Sequence, residues 1–452
     1  RDLHSFPTRR SSDLTLTDID GNFSVKGKVG NTLSISYVGF SPLEVKVTKL
    51  EGNRFILKED SKLLDEVVVV GMDKQKRNTI TAAVSTVASD AIVNRPVTDL
   101  TSALQGNVAG LNFVTDAAPD GVGGETGAEI KFNIRGVGSI NGNGGEPYVL
   151  VDGVEQSLQN VNPNDIETIS VLKDASAAAV YGARAAYGVV LVTTKSGRQE
   201  KTRVSYRGTV GFSSPINMPE MMNSLEFAKY VNERNDNDGV NHKFSDALIE
   251  KMEGFMKNPY SAEFPGIGPN QNGTDWASSM DAVYANTDWF DYYFKDTAIR
   301  HSHNLSVTEG SEKFNYYVGL GYTYQDGLLD KVDDNLSKYN VNTKFQIIAN
   351  KWLKFNFNNN ITLSILKRPM ANQTIFYGTL GQTIPNAPTH YPIDSEYNDA
   401  SEFRYLKESH YVQNRISDAM SFAATITPLP GWDIVGEMKV RFDVEDNSFK
   451  RG

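Results

Sequence analysis

From Lys201 onward, apolar and polar residues alternate. In TRVSYRGTVGF, Val204, Tyr206, Val210 and Phe212 share one face, and Arg203, Ser205, Arg207 and Thr209 take the other. The alternation returns in HNLSVTE and in FNYYVGLGYTYQDG. There Phe314, Tyr316, Val318, Leu320, Tyr322 and Tyr324 oppose Asn315, Tyr317, Gly319, Gly321, Thr323 and Gln325. SKYNVNTKFQIIA, WLKFNFNNNITLSI, SDAMSFAATIT and WDIVGEMKVRFDV repeat it. A period of two predicts about seven strands, each with one apolar face. Their connections alternate in length. Ser213–Thr297, Asp326–Leu336 and Lys367–Arg415 are long; Glu309–Glu312, Asn350–Lys351 and Pro428–Gly431 are short. A transmembrane β-barrel has this rhythm, with short turns on the periplasmic side and long loops outside. An open sheet edge in lipid would leave backbone groups unsatisfied. The expectation is therefore the leading part of a barrel, residues 198–452, cut from a longer chain.

Upstream, residues 130–197 read differently. Ile130, Phe132 and Ile134 alternate, and a Gly-rich loop follows. The short strand Tyr148–Val151 then ends on Asp152-Gly153, a tight-turn pair. NPNDIETISVLKD predicts a second strand, the Ala-rich run after it a helix, and the β-branched VVLVTTK a third strand. Asn94–Val114 predicts a capped helix ending at a Gly, then a strand. Residues 117–128 are Gly-rich and read as a loop. This α/β unit is far too polar to span a bilayer. Asn133-IRG-Val137, Tyr148-VLVDGV-Glu155 and NPNDIETISVLKDASAAAVYGARAAYGVVLVTTKSG also resemble, nearly residue for residue, the plug domain of SusC/RagA-like TonB-dependent outer-membrane transporters. The resemblance sets the plug at residues 74–197. Arg135, Gly136, Asp152, Gly153, Lys173, Asp174, Tyr181, Gly182 and Arg184 are its motif residues. It implies a plugged barrel of roughly 22 strands, of which this chain would hold fewer than half.

Residues 15–60 alternate between strand-like runs and Gly/Asn/Pro punctuation, which predicts a small β-sandwich. TDIDGNFSV…LSISYVGF resembles the second part of a carboxypeptidase-regulatory-like domain. Asp18, Asp20 and Asn22 do not make an EF-hand, because Gly21 comes two positions before the place of the loop Gly and Val29 stands where the bidentate Glu belongs. Residues 61–73 form a linker containing LDEVVVVG. Asp65, Glu66, Val67, Val68, Val69 and Val70 read as an extended segment. In this family that segment is the TonB box, which binds by adding a strand to a partner's sheet edge. Residues 1–14, RDLHSFPTRRSSDL, are what a widely used sequencing adapter encodes when translated, and are read as foreign to the fold.

Composition narrows the function. The chain of 452 residues has no cysteine, which excludes disulfides and thiolate metal sites. A net charge of −10 argues against nucleic acid as a partner. No run approaches the roughly 20 apolar residues of a membrane helix. No enzymatic constellation, dinucleotide loop or Walker A sequence is present, so no cofactor is expected. His301 and His303 share a strand face without a third ligand, and an exposed or lumen-facing pair is expected in place of a metal site. In the first long connection, MNSLEFAKYVNERN predicts a helix with Ser224 as N-cap. The aromatic DWFDYYF is expected to pack in its loop or in an interfacial girdle. The fold class is thus mainly β: a partial sandwich, an α/β plug and an incomplete antiparallel transmembrane barrel. The resemblance implies import of a bulky nutrient, glycan or peptide, across an outer membrane. It implies TonB and a SusD-like surface lipoprotein as partners, with outer-membrane lipid around the barrel. The alternative is a β-rich surface adhesion protein without transport.

Overall fold

The computed structural model describes residues 24–25, 28–30, 32–35, 43–49, 55, 67–70, 73–76, 84–93, 100–108, 110–115, 126–128, 130–134, 136, 145–173, 179–197, 201–216, 218–268, 282–369, 380, 382–389 and 410–450. Two compact units divide the chain, residues 1–81 and 82–452.

In the first unit, β1 (Thr32–Ile35) pairs antiparallel with β2 (Leu43–Lys46). The four valines form β3 (Val67–Val70), as expected, but not as an isolated extended segment. β3 pairs with β4 (Asp73–Lys76), Val68 opposite Gln75. One edge of β3 is therefore already hydrogen-bonded within the chain. Most of the remaining expected sandwich strands, residues 1–14, Asp65 and Glu66 lie outside the described residues.

The second unit begins with a five-stranded sheet in the order β5 (Val84–Ala88), β10 (Ile166–Leu172), β11 (Val189–Thr194), β8 (Tyr148–Val151), β9 (Val154–Glu155). β11 runs parallel to β8 and antiparallel to β10. Its Val189, Val190, Leu191 and Val192 are all buried, as a strand covered on both faces requires. Helices α1 (Ser89–Val93) and α2 (Leu100–Leu104) close one side through Ile92, Leu100 and Leu104. β6 (Leu111–Thr115) and β7 (Ile130–Ile134) form a separate pair, with Phe113 and Phe132 stacked 5.9 Å apart. The start of the Ala-rich run expected as a helix after β10, residues 174–178, lies outside the described residues. Its later part, residues 179–185, makes 3-10 turns broken at Gly182, whose φ of 68° and ψ of −155° no helix accommodates.

The rest is one antiparallel meander. It comprises β12 (Arg203–Ser213), β13 (Ala298–Gly310), β14 (Phe314–Asp326), β15 (Asn335–Asn350), β16 (Leu353–Pro369), β17 (His410–Leu429) and β18 (Trp432–Lys450). Each strand pairs with its sequence neighbours, so the seven form a single sheet in chain order. The long and short connections fall where the sequence placed them, although β17 starts five residues before Arg415. Val204, Tyr206, Val210, Phe212, Leu305, Phe314, Leu320, Phe422, Met438 and Phe442 stand exposed on one face. Asn304, Asn315, Tyr317, Asn340, Asn342, Lys344, Asn360 and Thr362 are buried on the other. Trp352 and Trp432 lie exposed at the short turns.

The first long connection is structured. α3 (Ser224–Asn237) is capped by Asn223, one residue before the expected Ser224. The Asn223 side chain accepts from Glu226 N at 2.9 Å, and the Glu226 carboxylate accepts from Asn223 N at 3.1 Å. This reciprocal box satisfies two orphan donors, which a serine at the first helical position cannot do. A second helix, α4 (Asp246–Lys257), packs on α3 through Leu248, Met252 and Phe255. DWFDYYF folds as α5 (Trp289–Tyr293), buried with Leu329 and Leu380, which makes it loop core.

Candidate functional site at the seam between plug and wall

Asp152 and Gly153 have φ values of 49° and 82°. Positive φ at both central positions gives the turn that matches strand twist, and it folds β8 back on β9 with Val151 opposite Val154. The turn also aims a carboxylate. Asp152 Oδ1 accepts from Thr194 N at 3.1 Å, and Oδ2 accepts from Thr194 Oγ1 at 2.7 Å. Lys344, on the inner face of β15, then donates to Asp152 Oδ1 and to the Thr194 carbonyl, each at 2.7 Å. The two side chains are only 11% and 12% exposed, so this ion pair is buried.

Residues 156–165 continue the contact. Ser157 caps a 3-10 turn at Leu158–Asn160, and Asn162 caps another at Pro163–Asp165, with proline at its favoured first position. The turns present backbone carbonyls outward. Lys338 and Asn340 donate to the carbonyls of Gln159 and Asn160, both at 3.3 Å, and Thr362 also donates to Asn160. Asn162 Nδ2 donates to Asn304 Oδ1 at 2.7 Å. Tyr317 donates its hydroxyl to Asp165 Oδ1 at 2.6 Å. Arg441 of β18 reaches the Glu155 carbonyl at 3.1 Å, and Arg207 of β12 reaches Val93 O at 3.2 Å. Glycines allow the approach: a methyl group at Gly319 would collide with the Asp165 carboxylate, and one at Gly197 with the backbone of Tyr316. Burial pushes the Asp165 carboxyl up to about 6, with the Tyr317 hydroxyl, Lys195 and Lys344 pulling the other way.

The other motif residues are scattered around this seam. Arg184 pairs with Glu155 at 2.7 Å and lies 5.0 Å from the Tyr148 ring centroid, while Tyr181 meets that ring edge-on. The pair is largely exposed and contributes little to stability. Lys173 lies beside Gly110, and Gly136 has a φ of 103°. Arg135 and Asp174 lie outside the described residues. Sequence reasoning missed Lys344, Asp165, Tyr317 and the asparagines. Alternation put the strand residues among them on the polar face, and Asp165 reads as turn chemistry, but nothing local marks their distant partners.

His301 and His303 sit on the outer face among Tyr206, Tyr322 and Tyr324, not toward the lumen. Tyr206 OH and His303 Nδ1 are hydrogen-bonded at 2.7 Å. Among the described residues, no group of three or more His, Cys, Asp or Glu is placed to hold a metal. Among them too, no helix is long and apolar enough to cross a membrane, which says nothing of a β-barrel.

Residues 76–189 match the family model of the TonB-dependent Receptor Plug Domain, and residues 9–69 match the CarboxypepD_reg-like domain. TonB-dependent receptor SusC of Bacteroides thetaiotaomicron is 32% identical over 366 residues, 75% of this chain and 31% of the relative. The chain belongs to the SusC/RagA-like TonB-dependent receptors. TonB-dependent receptor P26 of Formosa agariphila is likewise 32% identical, over 86% of this chain and 35% of its own length. Among solved structures, the RagAB peptide importer in its open-open state superposes with a TM-score of 0.66 at 25% identity. That match covers 85% of this chain and 43% of the other. The chain thus spans about a third of the curated SusC-like receptors it matches. These relatives are receptors, not enzymes. In this SusC/RagA-like receptor chain, the seven-stranded sheet is consistent with an incomplete barrel and the five-stranded sheet belongs to the plug.

Proposed function

We propose that this chain supplies the plug and the leading wall of an outer-membrane receptor that imports a bulky nutrient, glycan or peptide, in a TonB-dependent way. One observation carries the reading: a folded α/β unit lies against the polar face of a meander whose opposite face is apolar. A surface adhesin gives no reason to bury a polar seam behind a lipid-compatible wall. The cell would be Gram-negative and Bacteroidetes-like. Peptide cargo is supported by likeness to a peptide importer; glycan cargo rests on the resemblance of the plug sequence alone. A SusD-like lipoprotein would capture cargo outside. With no ATP site, energy would come from the inner-membrane complex through TonB.

TonB would engage Asp65–Val70, adding its strand at the edge of β3 not used by β4, or in place of β4. Motif residues 135–136, 152–153, 173–174, 181–182 and 184 would hold the plug's internal turns and its seat on the wall. Strand addition works through backbone groups, so side-chain truncation matters little, whereas proline removes a donor and fixes φ. In the receptor carrying this chain, Val68→Pro abolishes nutrient uptake while cargo capture and assembly persist, and Val68→Ala has little effect. Normal uptake by the proline variant would sink the assignment of this segment as the coupling strand.

A further inference from the structure

Asp165 is only 3% exposed, at the end of the 3-10 turn Pro163–Asp165, pressed against the wall at Gly319. Oδ1 takes the Tyr317 hydroxyl, and Oδ2 is buried with no hydrogen-bond partner. The cations that act on it are Lys195 and Lys344, and both ammonium groups have other acceptors. Lys344 Nζ donates to Asp152 and Thr194 O; Lys195 Nζ donates to Asn164 O at 2.6 Å. Tyr317 from β14, Lys344 from β15, Lys195 after β11 and, through Lys344, Asp152 are the titratable or charged groups facing this carboxyl among the described residues. A buried carboxylate with one lone oxygen is costly; a carboxylic acid at the same place is not.

We infer that Asp165 is a proton-binding site that sets how firmly the plug holds to the wall: ionised, it loosens the seam, and protonated, it tightens it. Docked, the carboxyl titrates at about 6; freed into water it returns to the ordinary 3.8. The docked state therefore binds the proton more tightly. Docking gains its full contribution below the lower value, loses it as pH rises through the higher one, and is flat above that. At pH 5 the difference amounts to roughly tenfold in the docking equilibrium. At neutral pH the plug sits on a destabilised contact, poised to move.

The chain has no cysteine, so a single reporter can be read cleanly. Asn342, 1% exposed on β15, reacts with a maleimide only when the seam opens. The test uses Asn342→Cys in the receptor carrying this chain, in outer-membrane vesicles without TonB. Its rates are divided at each pH by those of an exposed Asn241→Cys control. The ratio should fall about tenfold from pH 7 to pH 5, with little change above pH 6.5. With Asp165→Asn added, it should be low and flat. A flat ratio in the parent, or an unchanged pH dependence with Asp165→Asn, overturns the proposal. Heat-modifiable migration reports assembly. Should Asp165→Asn fail to assemble, Tyr317→Phe decides. It removes a hydrogen bond that favours the carboxylate, so the onset must move to higher pH, and an unmoved onset is equally fatal. Because TonB is absent, failure here leaves the import reading standing, and failure of the Val68→Pro test leaves this one standing.

Discussion

Lys344 and Asp152 lie 192 residues apart in sequence and 2.7 Å apart in space. A buried pair of this kind is more costly to break than it is worth to keep, because the survivor is left charged without compensation. Lys344→Met should therefore weaken plug docking by about 3–5 kcal/mol. Adding Asp152→Asn should recover most of the loss. Labelling of an Asn342→Cys reporter across the four members of the cycle measures this, and additive losses would show that the two residues act independently. The Asp152-Gly153 turn was legible because both residues suit positive φ. Its carboxylate's second role was not, since no local signal couples a turn to position 344. Asp165 was equally hidden: in NPNDI it reads as turn chemistry, and only the folded chain buries it against Tyr317.

The strands were the most legible elements. In WLKFNFNNNITLSI the alternation alone assigns Phe355, Phe357 and Ile361 to one face and Asn356, Asn358 and Asn360 to the other, and the register agrees. The plug's secondary structure was less so. Its Ala-rich segment reads as helix by propensity, yet in the described part, residues 179–185, Gly182 at φ 68° breaks the turns. Helix α4 was overlooked, although Ser245 and the spacing of Leu248, Met252 and Phe255 announce it. The two faces of the wall make opposite demands. Phe422→Arg, on the apolar face, should cost about 2–4 kcal/mol of wall stability if that face meets lipid. Glu437→Arg, on the polar face of β18, should cost much less. Urea titration of heat-modifiable migration compares them. Equal costs would mean that the apolar face does not meet lipid.

At the scale of the whole molecule, a plug is held against a wall by a polar seam that buries one carboxylate oxygen of Asp165 without a partner. Such a contact is firm enough to close the path and weak enough to be pulled open. The segment from the Asp152 turn to Asp165 carries most of the fastening, and it touches β13, β14, β15, β16 and β18. The sequence indicated both bodies by pattern and by resemblance, but not the fastening, which depends on pairs of residues brought together only by folding. Under the proposed import function, the fastening must yield. Glu155 and Arg441 meet at its accessible rim. In the receptor carrying this chain, Glu155→Cys and Arg441→Cys can be joined by a reducible crosslinker, and energised uptake of the growth-supporting nutrient measured before and after reduction. The account predicts that the bridged receptor captures its nutrient but does not import it, and that reduction restores import. Undiminished import through the bridged receptor would contradict it.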